Sequence, residues 1–190
     1  MTNELDDKLA SALAIAIAQN PRGNLKEIAQ RAGISKATLY RKVATTREGV
    51  IELLMARATK HLQAALLNAE LAKPPFTEAL QRLTVNVMEG RAFYQFWNVS
   101  QWVQMIDTKQ ADERVALPSF YGDTMVDFFL QGQKAGVFRI DLSAKWLVKT
   151  YDSLLYAAVD AAQRGEIATV GIAALIEKTF LSGVLRSNSD

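Results

Sequence analysis

The chain has no cysteine and a single histidine, His61, among its 190 residues. The first absence excludes a disulfide framework, thiol catalysis, iron–sulfur clusters and thiolate zinc. The second excludes a histidine-rich metal site and any proton relay built from two imidazoles. No apolar run approaches the ~20 residues needed to span a bilayer. The stretch 9–18 imitates the core of a signal peptide, but Glu4, Asp6 and Asp7 precede it against Lys8 alone, the wrong sign for such a leader. Glycine-rich phosphate loops are absent too, so nothing recommends an enzyme. The expectation is a soluble, cytoplasmic protein without metal or cofactor.

What is present is ordinary globular composition, 49% hydrophobic and 22% charged, with an uneven distribution of charge. The formal net charge is only +2. Residues 1–60 nevertheless hold ten Lys/Arg against six Asp/Glu. Between 20 and 47, Arg22, Lys26, Arg31, Lys36, Arg41, Lys42 and Arg47 are opposed by Glu27 alone. Such a density of one sign is either a solvated helical face or the footprint of a polyanion.

Four prolines and a few glycines punctuate the chain. Breaks fall at 20–23, 73–75, near Leu117-Pro118, at 136–143 and at Arg164-Gly165. Between them apolar residues recur at three and four, as in Leu5, Leu9, Leu13 and Ile17, or Phe76, Leu80, Leu83 and Val87. Strand and hairpin signals are poor. The fold class is all-α, about nine helices. Asn24 with Glu27, and Thr45 with Glu48, read as capping boxes; Ser35 opens a short helix, and Asp141 or Ser143 caps the helix containing Trp146.

Function concentrates in residues 25–43, LKEIAQRAGISKATLYRKV. A first short helix buries Leu25, Ile28 and Ala29. Gly33 follows four residues later and supplies the positive φ of a tight turn. Ile34 packs back, and a second helix starts at Ser35 and buries Leu39. These offsets form a helix-turn-helix, whose second helix enters the DNA major groove. Its exposed positions, Lys36, Ala37, Thr38, Tyr40, Arg41 and Lys42, offer chemistry suited to bases and phosphates. The bland alternative is a plain corner between two helices. A regulator that docks on a protein partner rather than DNA is the other functional reading.

The run Ile28-Ala29, then Ala32-Gly33-Ile34-Ser35-Lys36-Ala37-Thr38-Leu39-Tyr40, resembles the DNA-binding segment of TetR-family transcriptional regulators. Within that family the likeness is greatest to a repressor of a multidrug efflux operon. It extends to Phe128-Phe129-Leu130, to 134–141 and to 156–165, and is loose between Glu70 and Tyr121. The resemblance implies a homodimer that binds a double-stranded operator and releases it on meeting a small hydrophobic effector. It implies a DNA-binding domain at 1–47 and a ligand-binding and dimerisation domain at 48–190, with 48–68 a linking helix. By position, Ser35, Lys36, Ala37, Thr38 and Tyr40 would face DNA, and Arg47 stands where the family often has a phosphate-touching lysine. Pro21-Arg22-Gly23-Asn24 replaces the family's Gly-x-x-x-Thr stretch, and the link from Tyr40 to Arg47 is one residue longer.

Aromatics are abundant after residue 76. Phe93, Tyr94, Phe96, Trp97, Trp102 and Met105 crowd one helix, and Tyr121, Phe128, Phe129 and Tyr151 lie on later ones. Each could simply be core. As a group, Phe93, Phe96, Trp97, Gln101, Trp102, Met105, Tyr121, Phe129 and Tyr151 are candidate ligand-binding residues of an apolar cavity, with Gln104 and Asp107 nearby. The last two helices, expected at about 143–164 and 167–184, carry Ala157, Ala158, Ala161, Ala162, Ala173 and Ala174. With Leu155, Val159, Ile176 and Phe180 they suit either an intersubunit four-helix seam or packing within one subunit.

Overall fold

Helical periodicity governs the whole described chain. The computed structural model describes residues 6–107 and 119–185, the side chains of 101, 102, 104–107 and 119 excepted. Leu5 and the Leu117-Pro118 break therefore lie outside the described residues. Among the described residues nine helices form: α1 Asp7–Gln19, α2 Leu25–Arg31, α3 Lys36–Lys42, α4 Arg47–Ala69, α5 Phe76–Glu89, α6 Arg91–Asp107, α7 Ser119–Lys134, α8 Ala144–Gln163 and α9 Ile172–Val184. The chain is all-α. No strand is present among them, only an isolated antiparallel bridge between Phe138 and Leu185. None of these helices is long and apolar enough to cross a membrane.

The helices group into two compact units, residues 1–61 with 90–115, and residues 62–89 with 116–190. In the first, α1 packs on α6 and on α2, and α2 packs on α3. Small side chains make the α1 contact close: Ala10, Ala14 and Ala16 are buried beside Leu13 and Ile17, and α6 contributes Tyr94, Phe96 and Trp97. The first half of α4 adds Val50, Leu54 and Ala58 to the buried set. Asp7 also pairs with Arg57 of α4 at the surface. Gly90 lies directly against the His61 imidazole, where a Cβ would come within 2.3 Å of ring atoms.

The second unit packs α5 on α9, α7 on α8 and α8 on α9. Its centre is aromatic. Phe129 meets Phe128, Phe138 and Phe180 with centroids 5.2, 5.3 and 5.7 Å apart, and Tyr151 meets Phe180 edge-on at 5.4 Å. Leu155, Val159, Ile176 and Phe180 are buried within this chain, whereas Ala157 and Ala174 face outward. The loop 135–143 is fastened to the end of α9 by the Arg139 amide, which donates to the Val184 carbonyl at 2.9 Å.

Helix starts follow local chemistry, with two corrections. Asn24 accepts from the amides of Lys26 and Glu27, while Glu27 accepts from the Asn24 amide at 3.0 Å, so the α2 box is complete. Ser143, rather than Asp141, caps α8 by accepting from the Trp146 amide. The α4 cap falls one residue later than expected: Thr46 Oγ1 accepts from the Gly49 amide at 3.1 Å. A glycine in that third position has no carboxylate to reach back, so the box of Thr45 and Glu48 does not form. The last helix begins at Ile172, not near 167, because Gly171 takes φ 80° and breaks the helical path before it.

Candidate nucleic-acid interface

The turn between α2 and α3 is built from backbone bonds that its sequence permits. The Ala32 amide donates to the Ile28 carbonyl at 2.9 Å, Gly33 to Gln30 at 3.1 Å, and Ile34 back to Ala29 at 3.0 Å. Gly33 adopts φ 73°, open to glycine and strained for a residue with a Cβ. Ser35 then caps α3: its Oγ accepts from the Thr38 amide at 3.1 Å and lies 2.9 Å from Thr38 Oγ1. Ile28, Ala29 and Leu39 are buried at 1% exposure or less, which fixes how the two short helices cross. Neither seven-residue helix would persist alone; their caps and this shared apolar contact hold them.

That packing decides what faces outward. Ser35, Lys36, Ala37, Tyr40, Arg41 and Lys42 are exposed, and Thr38 is half-buried under its bond to Ser35. The Lys36 ammonium lies 5.1 Å over the Tyr40 ring, which is itself 39% exposed. This pairing steadies two long side chains on the same face, worth roughly 0.5–1 kcal/mol. Arg22, Lys26 and Arg31 are exposed nearby in sequence. The one acid of the segment, Glu27, is held in the cap of α2 and also accepts from Asn20 Nδ2 at 3.3 Å. The result is a cationic surface with one fixed helix axis. Arg47 stands apart from that set. It is half-buried at the start of α4, its Nε donates to the Gly23 carbonyl at 3.2 Å, and its Nη2 donates to the Pro21 carbonyl.

The expected ligand residues divide between the two units. Phe93, half-buried, with buried Phe96 and Trp97, sits on α6 in the first. Buried Tyr121 and Phe129 on α7 and Tyr151 on α8 sit in the second. Gln101, Trp102 and Met105 lie on α6, with Gln104 and Asp107, but their side chains are outside the described residues. Within the second unit the tyrosines belong to a buried polar cluster. Tyr151 Oη lies 2.9 Å from Thr84 Oγ1, and Tyr121 Oη donates to Asp152 Oδ1 at 3.0 Å. Burial pushes the Asp152 carboxyl up to about 7, partly offset by the Tyr121 bond. Burial likewise raises the Tyr151 phenol well above its ordinary value. Asp152 stands outside the expected ligand set, although its register gives it away. It falls on the buried stripe of α8, four residues after Val148 and three before Leu155.

A right-sized pair of crossed helices with a basic second helix defines a helix-turn-helix protein. No family model matches the chain. It is 35% identical over 178 residues to the HTH-type transcriptional regulator NfxB of Pseudomonas aeruginosa, covering 94% of this chain and 93% of that protein. Among solved structures it resembles the TetR-like regulator LfrR of Mycobacterium smegmatis, with TM-score 0.67 and 18% identity over 94% of this chain and 95% of that one. It also resembles the ketosteroid transcriptional regulator KstR2 of Mycobacterium tuberculosis, again with TM-score 0.67 and 18% identity, over 95% and 94%. LfrR in complex with proflavine superposes with TM-score 0.60 at 19% identity, over 95% and 96%. The chain belongs to the TetR family of DNA-binding, helix-turn-helix transcriptional regulators, a family of regulators rather than enzymes.

Proposed function

We propose that this chain is a ligand-responsive repressor of a multidrug efflux operon, released from a pseudo-palindromic operator by a small hydrophobic effector. The observation that carries the DNA half of this reading is the outward face of α3. Leu39 is locked in the core while Ser35, Lys36, Ala37, Thr38, Tyr40, Arg41 and Lys42 line the side that would enter the major groove. Lys36, Arg41 and Lys42 can reach phosphates or guanine edges, Ala37 offers an apolar contact to a thymine methyl, and Tyr40 brings a hydroxyl. In this reading residues 1–47 form the DNA-binding domain, 48–190 bind effector and dimerise, and α4 carries the signal along its length. Affinity falls steeply with salt, because phosphate contacts release counterions.

The likeness to the HTH-type transcriptional regulator NfxB over nearly the whole chain supports the regulatory reading, and a similar fold crystallised with proflavine supports an aromatic effector. Phe93, Phe96, Trp97, Gln101, Trp102, Met105, Tyr121, Phe129 and Tyr151 remain the proposed effector residues. The outer sides of α8 and α9 support a homodimer. Trp146 is 57% exposed and Leu175 47%, and an apolar groove of about 270 Å³ runs beside Trp146, Leu154 and Thr179. A C2 dimer would present two α3 helices to half-sites ~10 base pairs apart or a multiple. An effector that binds better to one tilt of α4 would change that spacing and release DNA.

The test is fluorescence anisotropy with duplex DNA from upstream of the chain's own gene. Tyr40→Ala and Arg41→Ala should each weaken binding at least tenfold while sedimentation shows an unchanged oligomer. Undiminished binding by both variants would mean that a different surface, or a protein partner, is read.

A further inference from the structure

The first cation after the helix-turn-helix is turned the wrong way for a simple phosphate contact. Arg47 is the first residue of α4, and its half-buried guanidinium straddles the turn that joins α1 to α2, donating to the carbonyls of Pro21 and Gly23. That turn is tight. The Gly23 amide closes onto the Asn20 carbonyl at 2.9 Å, Gly23 is buried, and a Cβ there would meet Asn20 Nδ2 at 2.6 Å. Asn20 and Asn24, on either side of it, both hold Glu27, the acid that caps α2. A rigid run of bonds thus leads from the start of α4, through the turn, into the cap of α2 and across the Gly33 corner to α3.

Two converging carbonyls suit the planar fork of a guanidinium, whereas an ammonium would satisfy them only as a point charge. Both features that surround this contact, the turn 21–24 and the longer link before Arg47, are where the chain departs from the usual family pattern. We propose that Arg47 is a positioning residue: it locks the first turn of α4 to the base of α2 and so sets the pose of α3, rather than touching DNA itself. The inference rests on the DNA-binding reading above for its consequence, but not for the tether.

Two measurements on the full chain separate these. The first is anisotropy against the upstream duplex across roughly 50–200 mM salt for wild type, Arg47→Ala, Arg47→Lys and Arg41→Ala. As a tether, Arg47→Ala and Arg47→Lys both lose affinity about tenfold and keep the wild-type salt slope. A phosphate contact would instead lower the slope by about one in Arg47→Ala and leave Arg47→Lys near wild type, and that outcome overturns the proposal. The second is amide hydrogen exchange of residues 22–28, which the tether predicts to accelerate several-fold in both Arg47 variants and not in Arg41→Ala. Unchanged exchange there also overturns it. If wild type binds no duplex at all, the DNA reading falls on its own, and the exchange result alone upholds or refutes the tether.

Discussion

Replacing Asp152 by Asn should change how stability depends on pH in a direction fixed by the burial of the carboxyl. Asp152 is 9% exposed on the inner face of α8, and its carboxyl, ordinarily at 3.8, is pushed up to about 7 by loss of water, with the hydrogen bond from Tyr121 acting the other way. Between those two values the folded chain holds a proton that the unfolded chain has lost. The folded state then binds more protons, so stability falls as pH rises, beginning near 4 and levelling off above about 7. At ~1.36 kcal/mol for each pH unit the full effect is slightly over 4 kcal/mol, an upper figure. Asn keeps an oxygen that can accept from Tyr121 and has no charge to bury. The difference in unfolding free energy between wild type and Asp152→Asn should therefore swing by roughly 2–4 kcal/mol in favour of Asn between about pH 4.5 and 8. Tyr151, raised by the same burial, stays neutral throughout and does not enter. Urea denaturation at one fixed protein concentration, repeated across that range, gives the difference directly. A difference that stays constant with pH would show that the carboxylate is already ionised in the folded chain, and the reasoning would fail.

Three further perturbations test the frame around the site. Gly90→Ala should destabilise by about 1–3 kcal/mol, because its Cβ meets the His61 ring at 2.3 Å; adding His61→Ala should recover most of that loss in a double-mutant cycle by thermal unfolding. Thr46→Ala should cost about 1 kcal/mol and Thr45→Ala close to nothing, since only Thr46 accepts from the Gly49 amide, and parallel melts compare them. Leu39→Ala should cost about 2–4 kcal/mol in chemical denaturation and weaken operator binding indirectly, as α3 loses its one buried anchor.

What the sequence made legible was local. Asn24 to Glu27, Gly33, Ser35 and Leu39 lie within sixteen residues, and each does chemistry that spacing alone specifies: a box needs its partners three apart, a tight corner a positive φ, a short helix an apolar anchor. Those positions came out as expected in fold terms because no distant residue competes with them. The misplaced helix starts are of another kind. Thr45 and Thr46 are equally good caps on paper, and the choice depends on where the backbone enters α4, which the grip of Arg47 on the turn 21–23 helps to set. At the last helix, the pattern after Gly165 is helical enough, yet Gly171 at φ 80° leaves Val170 in solvent and delays the start.

The aromatic half shows where periodicity stops informing. Periodicity leaves Phe96, Trp97, Phe129 and Tyr151 open to core or to a cavity lining, and all four are buried. It carries no information on which helix each one faces, because pairing across a bundle is a property of the connections and not of the stripe. Phe96 and Trp97 accordingly join the unit that holds α1, while Phe129 and Tyr151 build a separate aromatic centre with Phe138 and Phe180. Asp152 was legible by the same logic used in reverse. An acid on an apolar stripe has to be neutral, hydrogen-bonded or functional, since burying a bare carboxylate is too unfavourable to persist. The Tyr121 bond and the raised proton affinity meet that requirement together. A buried polar group that breaks a stripe is therefore a sharper pointer than any number of aromatics that obey one.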